Sequence, residues 1–191
     1  MIWNVSRRPL IAAILLALLS GCSAARSPQP TADERRTVTE LIDQGVVYMR
    51  AGALDRAEAS FHASYEVLPQ AAAIDGLGCV AFLRRDFVRS EELFRRALAM
   101  DPQYHRALGN LAMVHEVTNR RESALQLYRR AIELEPKNVA ARNNFAGLLY
   151  DYGLGDGKGY AGARQRARGE LLKAQAVTNH PIIKSGLETL E

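Results

Sequence analysis

The sequence predicts an all-helical fold built from stacked pairs of helices. Prolines recur at Pro69, Pro102 and Pro136, spaced 33 and 34 residues apart, and each one closes a stretch with the apolar spacing of an amphipathic helix. No stretch shows the sustained period-two alternation of a strand. A period of this length is typical of helical solenoids, in which each unit buries its apolar face against the next.

Matching residue types recur at matching positions of each period. Small residues recur where the two helices of a pair must cross closely, at Gly45, Gly78, Ala112 and Ala146. Aromatic residues follow a small residue by four positions, which places both on one helical face; they are Phe61, Phe94 and Tyr128. Residues that tolerate a left-handed backbone recur where the first helix should end, at Gly52, Asn119 and Gly153. Each period is therefore predicted to be one helix–turn–helix unit.

Aligned on its prolines, the chain resembles the tetratricopeptide repeat (TPR) family. The family pattern of a large residue, Leu-Gly and an aromatic, followed by Ala, an aromatic, Ala and Pro, recurs in units near 38–71, 71–104 and 105–138. The resemblance covers about two-thirds of the chain. It implies a TPR α-solenoid of about four units within residues 33–191, with a capping helix at the carboxyl end.

The fourth unit, 139–181, departs from the period because Pro181 lies 45 residues beyond Pro136. We expect a first helix over Val139–Tyr152, a non-helical glycine-rich insertion at 153–162, and a second helix from about Ala163 to Val177. Residues 182–191 are predicted to form the capping helix. The insertion contains a G-x-G-x-x-G match, but the fingerprint needs a preceding strand. The insertion either contacts a partner or contacts nothing, and the sequence leaves both possibilities open.

The amino terminus predicts a bacterial lipoprotein. Residues 1–21 combine Arg7 and Arg8 with an apolar core, Leu10–Leu19, that is too short to span a bilayer. Leu19-Ser20-Gly21-Cys22 then resembles a lipobox, in which the signal peptidase cuts before the cysteine and the new terminus is acylated. The alternative is an ordinary signal peptide that happens to carry Cys22. In lipoproteins retained in the inner membrane, the residue after the cysteine is typically Asp, and here it is Ser23. The resemblance therefore implies an outer-membrane protein that faces the periplasm.

Residues 22–32 are rich in Ser and Pro and predict a flexible tether between the lipid and the domain. The signal holds two of the 25 basic residues and none of the 21 acidic ones, so the mature chain keeps a net charge near +2. This small excess gives no reason to expect a nucleic-acid partner. The doublets Arg95-Arg96 and Arg129-Arg130 fit a solvated face better than an anion-binding stripe.

The sequence contains no pattern that supports catalysis. The four histidines are scattered, no H-E-x-x-H or C-x-x-C spacing is present, and neither a G-x-S-x-G elbow nor a Walker sequence occurs. We therefore expect neither an enzyme nor a metal site, no small-molecule substrate, and no cofactor beyond the covalent lipid on Cys22. Cys79 would lack a partner once Cys22 is acylated. An intermolecular disulfide is one open outcome, and an inert small residue is the other.

The TPR resemblance implies a partner-binding groove lined by positions 2, 5, 9 and 12 of each first helix. The groove residues that it implies are Ile42, Val46, Met49, Asp75, Phe82, Arg106, Met113, Glu116, Asn143 and Tyr150. Methionines give adaptable contacts suited to peptide ligands. The alternative is that residues such as Ile42, Val46 and Phe82 contact neighbouring helices only.

The lipobox, short tether and about four repeats together resemble the small lipoproteins of pilus and secretion-system assembly. The segment 143–150, Asn-Asn-Phe-Ala-Gly-Leu-Leu-Tyr, is similar to a stretch in type IV pilus pilotins, and the shorter tight-adherence (Flp-type) lipoproteins have a closer repeat number. The resemblance implies a non-catalytic scaffold that helps a secretin or another channel subunit to assemble. An envelope adaptor for cell-wall or outer-membrane protein machinery is the alternative.

Overall fold

A computed structural model of the chain describes residues 29–155, 160–178 and 180–190. The signal segment 1–21, Cys22 and the tether as far as residue 28 lie outside the described residues. Residues 32–191 form one compact unit. The described residues form nine helices and no strand: α1 Ala32–Arg50, α2 Leu54–Val67, α3 Ala71–Leu83, α4 Phe87–Met100, α5 His105–Val117, α6 Arg121–Leu134, α7 Val139–Gly155, α8 Tyr160–Gln175 and α9 Pro181–Thr189. The predicted all-helical class is confirmed.

The helices stack as four consecutive pairs, α1/α2, α3/α4, α5/α6 and α7/α8, and α9 lies against α7 and α8. Each second helix also packs on the first helix of the next pair, and the first helices contact one another along the stack. The four first helices therefore share one layer, and the second helices lie in another. This arrangement is the predicted solenoid with its carboxyl-terminal cap.

Large side chains fill the space that small residues leave between paired helices. Phe61 and Phe94 are 1% exposed. A Cβ placed on Gly45 would lie 2.7 Å from Cε1 of Phe61, and one on Gly78 would lie 2.6 Å from Cε1 of Phe94. A Cβ on Gly76 of α3, which the sequence pattern did not single out, would lie closer still to Phe61, across the interface between the first and second pairs. The close helix crossings predicted at Gly45 and Gly78 are confirmed.

The three regular prolines each stand two residues after a second helix ends. The residues between helix and proline, Leu68, Asp101 and Glu135, have extended φ values of −152°, −140° and −134°. Proline forces this backbone on the residue before it because its Cδ clashes with a helical neighbour. The sharp helix ends predicted from Pro69, Pro102 and Pro136 are therefore confirmed, and their cause is local.

The turns inside the pairs use three different residue types. Gly52 and Asn119 have φ values of +74° and +61°, as predicted for left-handed helix ends. Arg85, which the sequence pattern did not single out, holds the same position in the second unit with φ +64°. Gly153 was expected to play this part in the fourth unit, and that expectation is wrong because Gly153 lies within α7.

The fourth unit is more helical than its glycines suggested. The insertion predicted as non-helical at 153–162 is wrong at both ends, since α7 continues to Gly155 and α8 begins at Tyr160. A glycine costs a helix only about 1 kcal/mol. Burial of Ala167 and Leu171 of α8, in a cluster that includes Ala146 of α7, offsets such a cost. Pro181 is the first residue of α9 instead of a stop after α8. Its missing N–H costs nothing there, because the first N–H groups of a helix have no acceptor within the helix.

Candidate functional site

The first helices enclose an open cavity of about 240 Å³ on the face that the repeat pattern marks as concave. Of the ten residues expected in the groove, six line it: Ile42, Val46, Met49, Asp75, Arg106 and Met113. They come from α1, α3 and α5, and Ala140, Ala141 and Asn144 of α7 complete the lining, so the cavity spans all four units. We call this cavity face the groove.

Phe82 lines a second, smaller pocket of about 200 Å³ beside the groove. Its other walls include Leu83, which is 50% exposed, and Met49 and Met113, which also line the first cavity. The two cavities therefore share walls. The apolar pocket and the larger cavity form one continuous surface on which a single ligand segment can lie.

Glu116, Asn143 and Tyr150 do not line either cavity. Glu116 accepts a hydrogen bond of 2.8 Å from the hydroxyl of Tyr128, and burial raises the pKa of its carboxyl group. Tyr150 packs on a cluster that includes Ile183 of α9. Oδ1 of Asn143 would lie 3.6 Å from a Cβ on Gly186, also in α9. The cap therefore stands where a further unit would continue the groove, and a binding role for these three residues stays a prediction.

A buried carboxylate forms the floor of the groove. Asp75 is 6% exposed, and the amide of Asn110 donates a hydrogen bond of 2.8 Å to its Oδ1. Burial raises the pKa of Asp75 to about 6, against the opposing effects of that hydrogen bond and of the positive charge of Arg106. Tyr104 lines the same cavity, and burial raises its pKa to about 12. Polar groups with little access to bulk water thus sit beside the apolar wall.

Two asparagines of the groove were missed by sequence reasoning. Asn110 and Asn144 both line the cavity from α5 and α7. They occupy equivalent positions 34 residues apart, so the period itself held the signal that could have found them. A side-chain amide offers two donors and an acceptor, which suits it to bind the N–H and C=O groups of an extended peptide.

Cys79 is half-buried between the two cavities and has no disulfide partner among the described residues. Asn110 donates a weak hydrogen bond of 3.4 Å to its sulfur. Burial, reinforced by the nearby charge of Asp75, raises the pKa of the thiol. A thiol in this setting is a poor nucleophile. The intermolecular disulfide stays a prediction.

The face opposite the groove is built from charged pairs. On α4, Arg95 pairs with Glu91 at 2.5 Å, and Arg96 donates to the hydroxyl of Tyr65 at 2.8 Å while its guanidinium lies 5.0 Å from the centre of that ring. Arg130 donates to the carbonyl of Pro102 at 3.3 Å. Arg95, Arg96 and Arg130 therefore have partners within the fold, as a solvated face predicts.

Among the residues that the structure describes, no group of three or more His, Cys, Asp and Glu side chains is placed to hold a metal ion. None of the described helices is both long enough and apolar enough to cross a membrane.

Comparison with known proteins finds tetratricopeptide repeats in the chain and in the proteins of similar fold. Residues 105–138, the third unit, match the family model described as tetratricopeptide repeat. The chain is 31% identical to Superkiller complex protein 3 of Mus musculus over 176 residues, which cover 86% of this chain and 11% of that protein. It spans about a tenth of the length of the curated relatives that it matches.

Two solved structures are similar in fold. The Pseudomonas aeruginosa pilF structure has a TM-score of 0.68 at 20% identity, covering 83% of this chain and 69% of that one. The first TPR domain of Spaghetti (RPAP3), bound to the HSP90 peptide SRMEEVD, has a TM-score of 0.52 at 22% identity, with 59% and 90% covered. With the helix pairs and the matched third unit, these similarities identify the described region as a TPR α-solenoid.

Proposed function

We propose that the protein is a non-catalytic, lipid-anchored TPR scaffold of the bacterial cell envelope. In this proposal its groove holds an extended segment of a protein partner, and the partner is a secretin or another subunit of a pilus or secretion channel. A TPR fold is generally a module for protein–protein interaction.

The groove is the single observation that carries the proposal. It combines an apolar wall, Met49 and Met113 as adaptable contacts, and the amides of Asn110 and Asn144. Such a surface suits an extended chain, whose backbone needs hydrogen-bonding partners and whose side chains need apolar pockets. The similar fold of RPAP3, bound to an HSP90 peptide, supports this mode of binding.

The envelope location rests on the sequence. Acylation of Cys22 would contribute about 0.8 kcal/mol per buried methylene, so more than one chain would anchor the protein firmly. The ten residues from Cys22 to Thr31 would reach at most about 35 Å when fully extended. The groove would therefore work within a short distance of the membrane. The resemblance to pilus and secretion lipoproteins supports the partner class, and the pilF structure adds a neighbour of similar fold.

A steric block of the groove tests the proposal without damage to the core. Gly109 lines the cavity, and a Cβ added to it meets no atom within 4 Å. Gly109→Leu should therefore fill the groove and also favour helix α5, because leucine is a better helix former than glycine. Gly169 on α8 has equally open surroundings but does not line the groove, so Gly169→Leu is the matched control.

We expect deletion of the gene to abolish secretin multimers in the envelope. Wild type and Gly169→Leu should restore them, whereas Gly109→Leu should not, at equal protein levels in the membrane fraction. Normal secretin multimers in the deletion strain would reject the pilus and secretion role. Groove-dependent co-purification of peptidoglycan synthases or outer-membrane insertion subunits would then assign the adaptor role instead.

A further inference from the structure

We propose that the groove selects a partner segment that carries a lysine or arginine, with the cationic side chain paired to Asp75 and an apolar side chain about three positions away in the Phe82 pocket. This inference rests on the proposed function, because it assumes that the groove binds an extended protein segment. It adds the chemistry that the segment must have.

The carboxylate of Asp75 is only partly satisfied by the fold. Within the described part of the chain, Asn110 is the one side chain that donates a hydrogen bond to it, through Oδ1. Among the described residues, every side-chain oxygen that has no hydrogen-bond partner keeps some accessible surface. This holds for Oδ2 of Asp75, to which no described side chain donates. Because Asp75 lines the cavity, its Oδ2 therefore opens into the groove. An ionised carboxylate can accept several hydrogen bonds, so this oxygen can take a donor from a ligand.

A cation is the ligand group that this oxygen favours. Burial of a carboxylate disfavours its charged form, and the raised pKa of Asp75 records that cost. An ammonium or guanidinium group offsets the cost, since hydrogen bonds between charged partners are shorter and stronger than neutral ones. A neutral donor, such as Asn110, offsets less of it.

Among the described residues, Arg106 is the cation whose charge lowers the pKa of Asp75. It is exposed, and it acts on Asp75 through its charge, whereas Asn110 acts through a hydrogen bond. Arg106 therefore does not occupy the site at Oδ2. Its charge should weaken the binding of a cationic ligand, so its removal should strengthen that binding. This opposite response separates a cation site from a general loss of structure.

The apolar pocket fixes the spacing of the ligand. Asp75 and Phe82 are seven residues apart on α3, which is about 10 Å along a helix that rises 1.5 Å per residue. An extended segment covers that distance in about three residues. Met49 and Met113 line both cavities, so the wall between the two sites is apolar and adaptable.

The test uses synthetic nine-residue peptides with blocked ends and the full-length chain in detergent micelles. The peptides share one leucine and differ only at the third position from it, which is Lys, Arg, Gln or Glu. Fluorescence anisotropy gives the dissociation constants. We expect the Lys and Arg peptides to bind at least about tenfold more tightly than the Gln peptide, because hydrogen bonds to charged groups are the stronger ones.

Three variants separate the site from the groove and from the fold. Asp75→Asn keeps an acceptor for Asn110 and should remove the preference for Lys over Gln, with thermal unfolding as the control for folding. Arg106→Gln leaves Asp75 in place and should increase the affinity for the Lys peptide. Gly109→Leu should weaken the binding of every peptide, because it fills the groove.

The outcomes distinguish this inference from the proposed function. Equal binding of the Lys and Gln peptides, or a preference that survives in Asp75→Asn, overturns the cation site while groove binding stands. A preference for Glu that is lost in Arg106→Gln overturns it in favour of an anion site. Binding that is absent, or that Gly109→Leu leaves unchanged, counts against both the inference and the proposed function.

Discussion

The outer face, formed by α2, α4, α6 and α8, and the groove shift the pKa values of their carboxyl groups in opposite directions. On the outer face, Glu58 pairs with Arg84 at 2.5 Å and with Arg89 at 2.8 Å. Arg120 binds Glu91 through two hydrogen bonds of 2.7 Å. These arginines lower the pKa of Glu58 and hold that of Glu91 at about 2, with the hydrogen bonds as the leading cause.

In the groove the hydrogen-bonding partner is neutral, since Asp75 has the amide of Asn110. Burial outweighs this bond and raises the pKa of Asp75. Glu116, which lies outside both cavities, shows the same pattern with the hydroxyl of Tyr128 as its neutral partner. The outer face therefore completes its own charges and joins neighbouring units, while the groove keeps a carboxylate that a ligand can complete. The difference indicates which face is structural and which is available for binding.

The largest expected effect is a loss that damages both faces together. Phe94 packs at Gly78 and clusters with Leu111 and Val114 between the two layers of helices. Phe94→Ala should lower the free energy of unfolding by about 3–5 kcal/mol, because it removes a buried ring and leaves a cavity. Urea unfolding followed by circular dichroism measures the loss. A change below about 1 kcal/mol would mean that the layers are not coupled through this residue.

The next effect should be confined to the outer face. Glu91→Gln leaves Arg120 and His115 without their charged partner, and should lower the free energy of unfolding by about 1.5–3 kcal/mol at pH 7. The lowered pKa of Glu91 means that its ionised form stabilises the fold above about pH 4.5. That contribution is lost as the pH falls toward about 2. Unfolding at pH 7, 5 and 3 should show a shrinking deficit, whereas a constant one would remove the role of the charge.

The groove should respond with the opposite sign. The pKa of Asp75 is about 6 in the fold and 3.8 as a reference, so its ionised form opposes folding above that range and this opposition fades as the pH falls through it. Asp75→Asn should therefore be more stable than wild type at pH 8, by on the order of 1 kcal/mol, and equal to it near pH 4. The same unfolding series measures this. A variant that is less stable at pH 8 would place Asp75 with the structural carboxylates of the outer face.

The smallest effect should come from a charge pair that belongs to neither class. Arg36 and Glu40 on α1 are 3.5 Å apart, with side chains that are 72% and 69% exposed. Arg36→Gln should change the free energy of unfolding by less than about 0.5 kcal/mol, because solvent screens exposed pairs. A larger change in thermal unfolding would show that exposure alone does not separate the stabilising pairs from the others.

The sequence predicted those features of the fold that follow from local chemistry. The prolines act on the residue before them, and Gly52 and Asn119 tolerate a left-handed backbone, so both kinds of boundary could be located. Arg85 could not be foreseen, because the same backbone strains an arginine. Gly153 was misplaced because α7 continues through it to Gly155, and a glycine costs a helix only about 1 kcal/mol.

The groove was predicted in part. The repeat register located the residues of α1, α3 and α5 that line the cavity, because the same positions of these successive first helices face the groove. It did not foresee that α9 would cover Asn143 and Tyr150, since that contact depends on where the cap packs. Nor did it single out Asn110 and Asn144, although they recur at the repeat period.

The neighbour-to-neighbour stacking of the helix pairs has a consequence for how the molecule comes apart. Among the described helices, each pair contacts only the adjacent pairs, and the cap contacts only the fourth pair, so the resistance of a pair to opening is approximately its own stability plus that of its interfaces. The first pair has one such interface and should exchange its amide hydrogens sooner than the middle pairs. Asp75, Asn110 and Arg106 belong to α3 and α5, in the two middle pairs. The binding floor should therefore persist through fluctuations that open the ends of the stack.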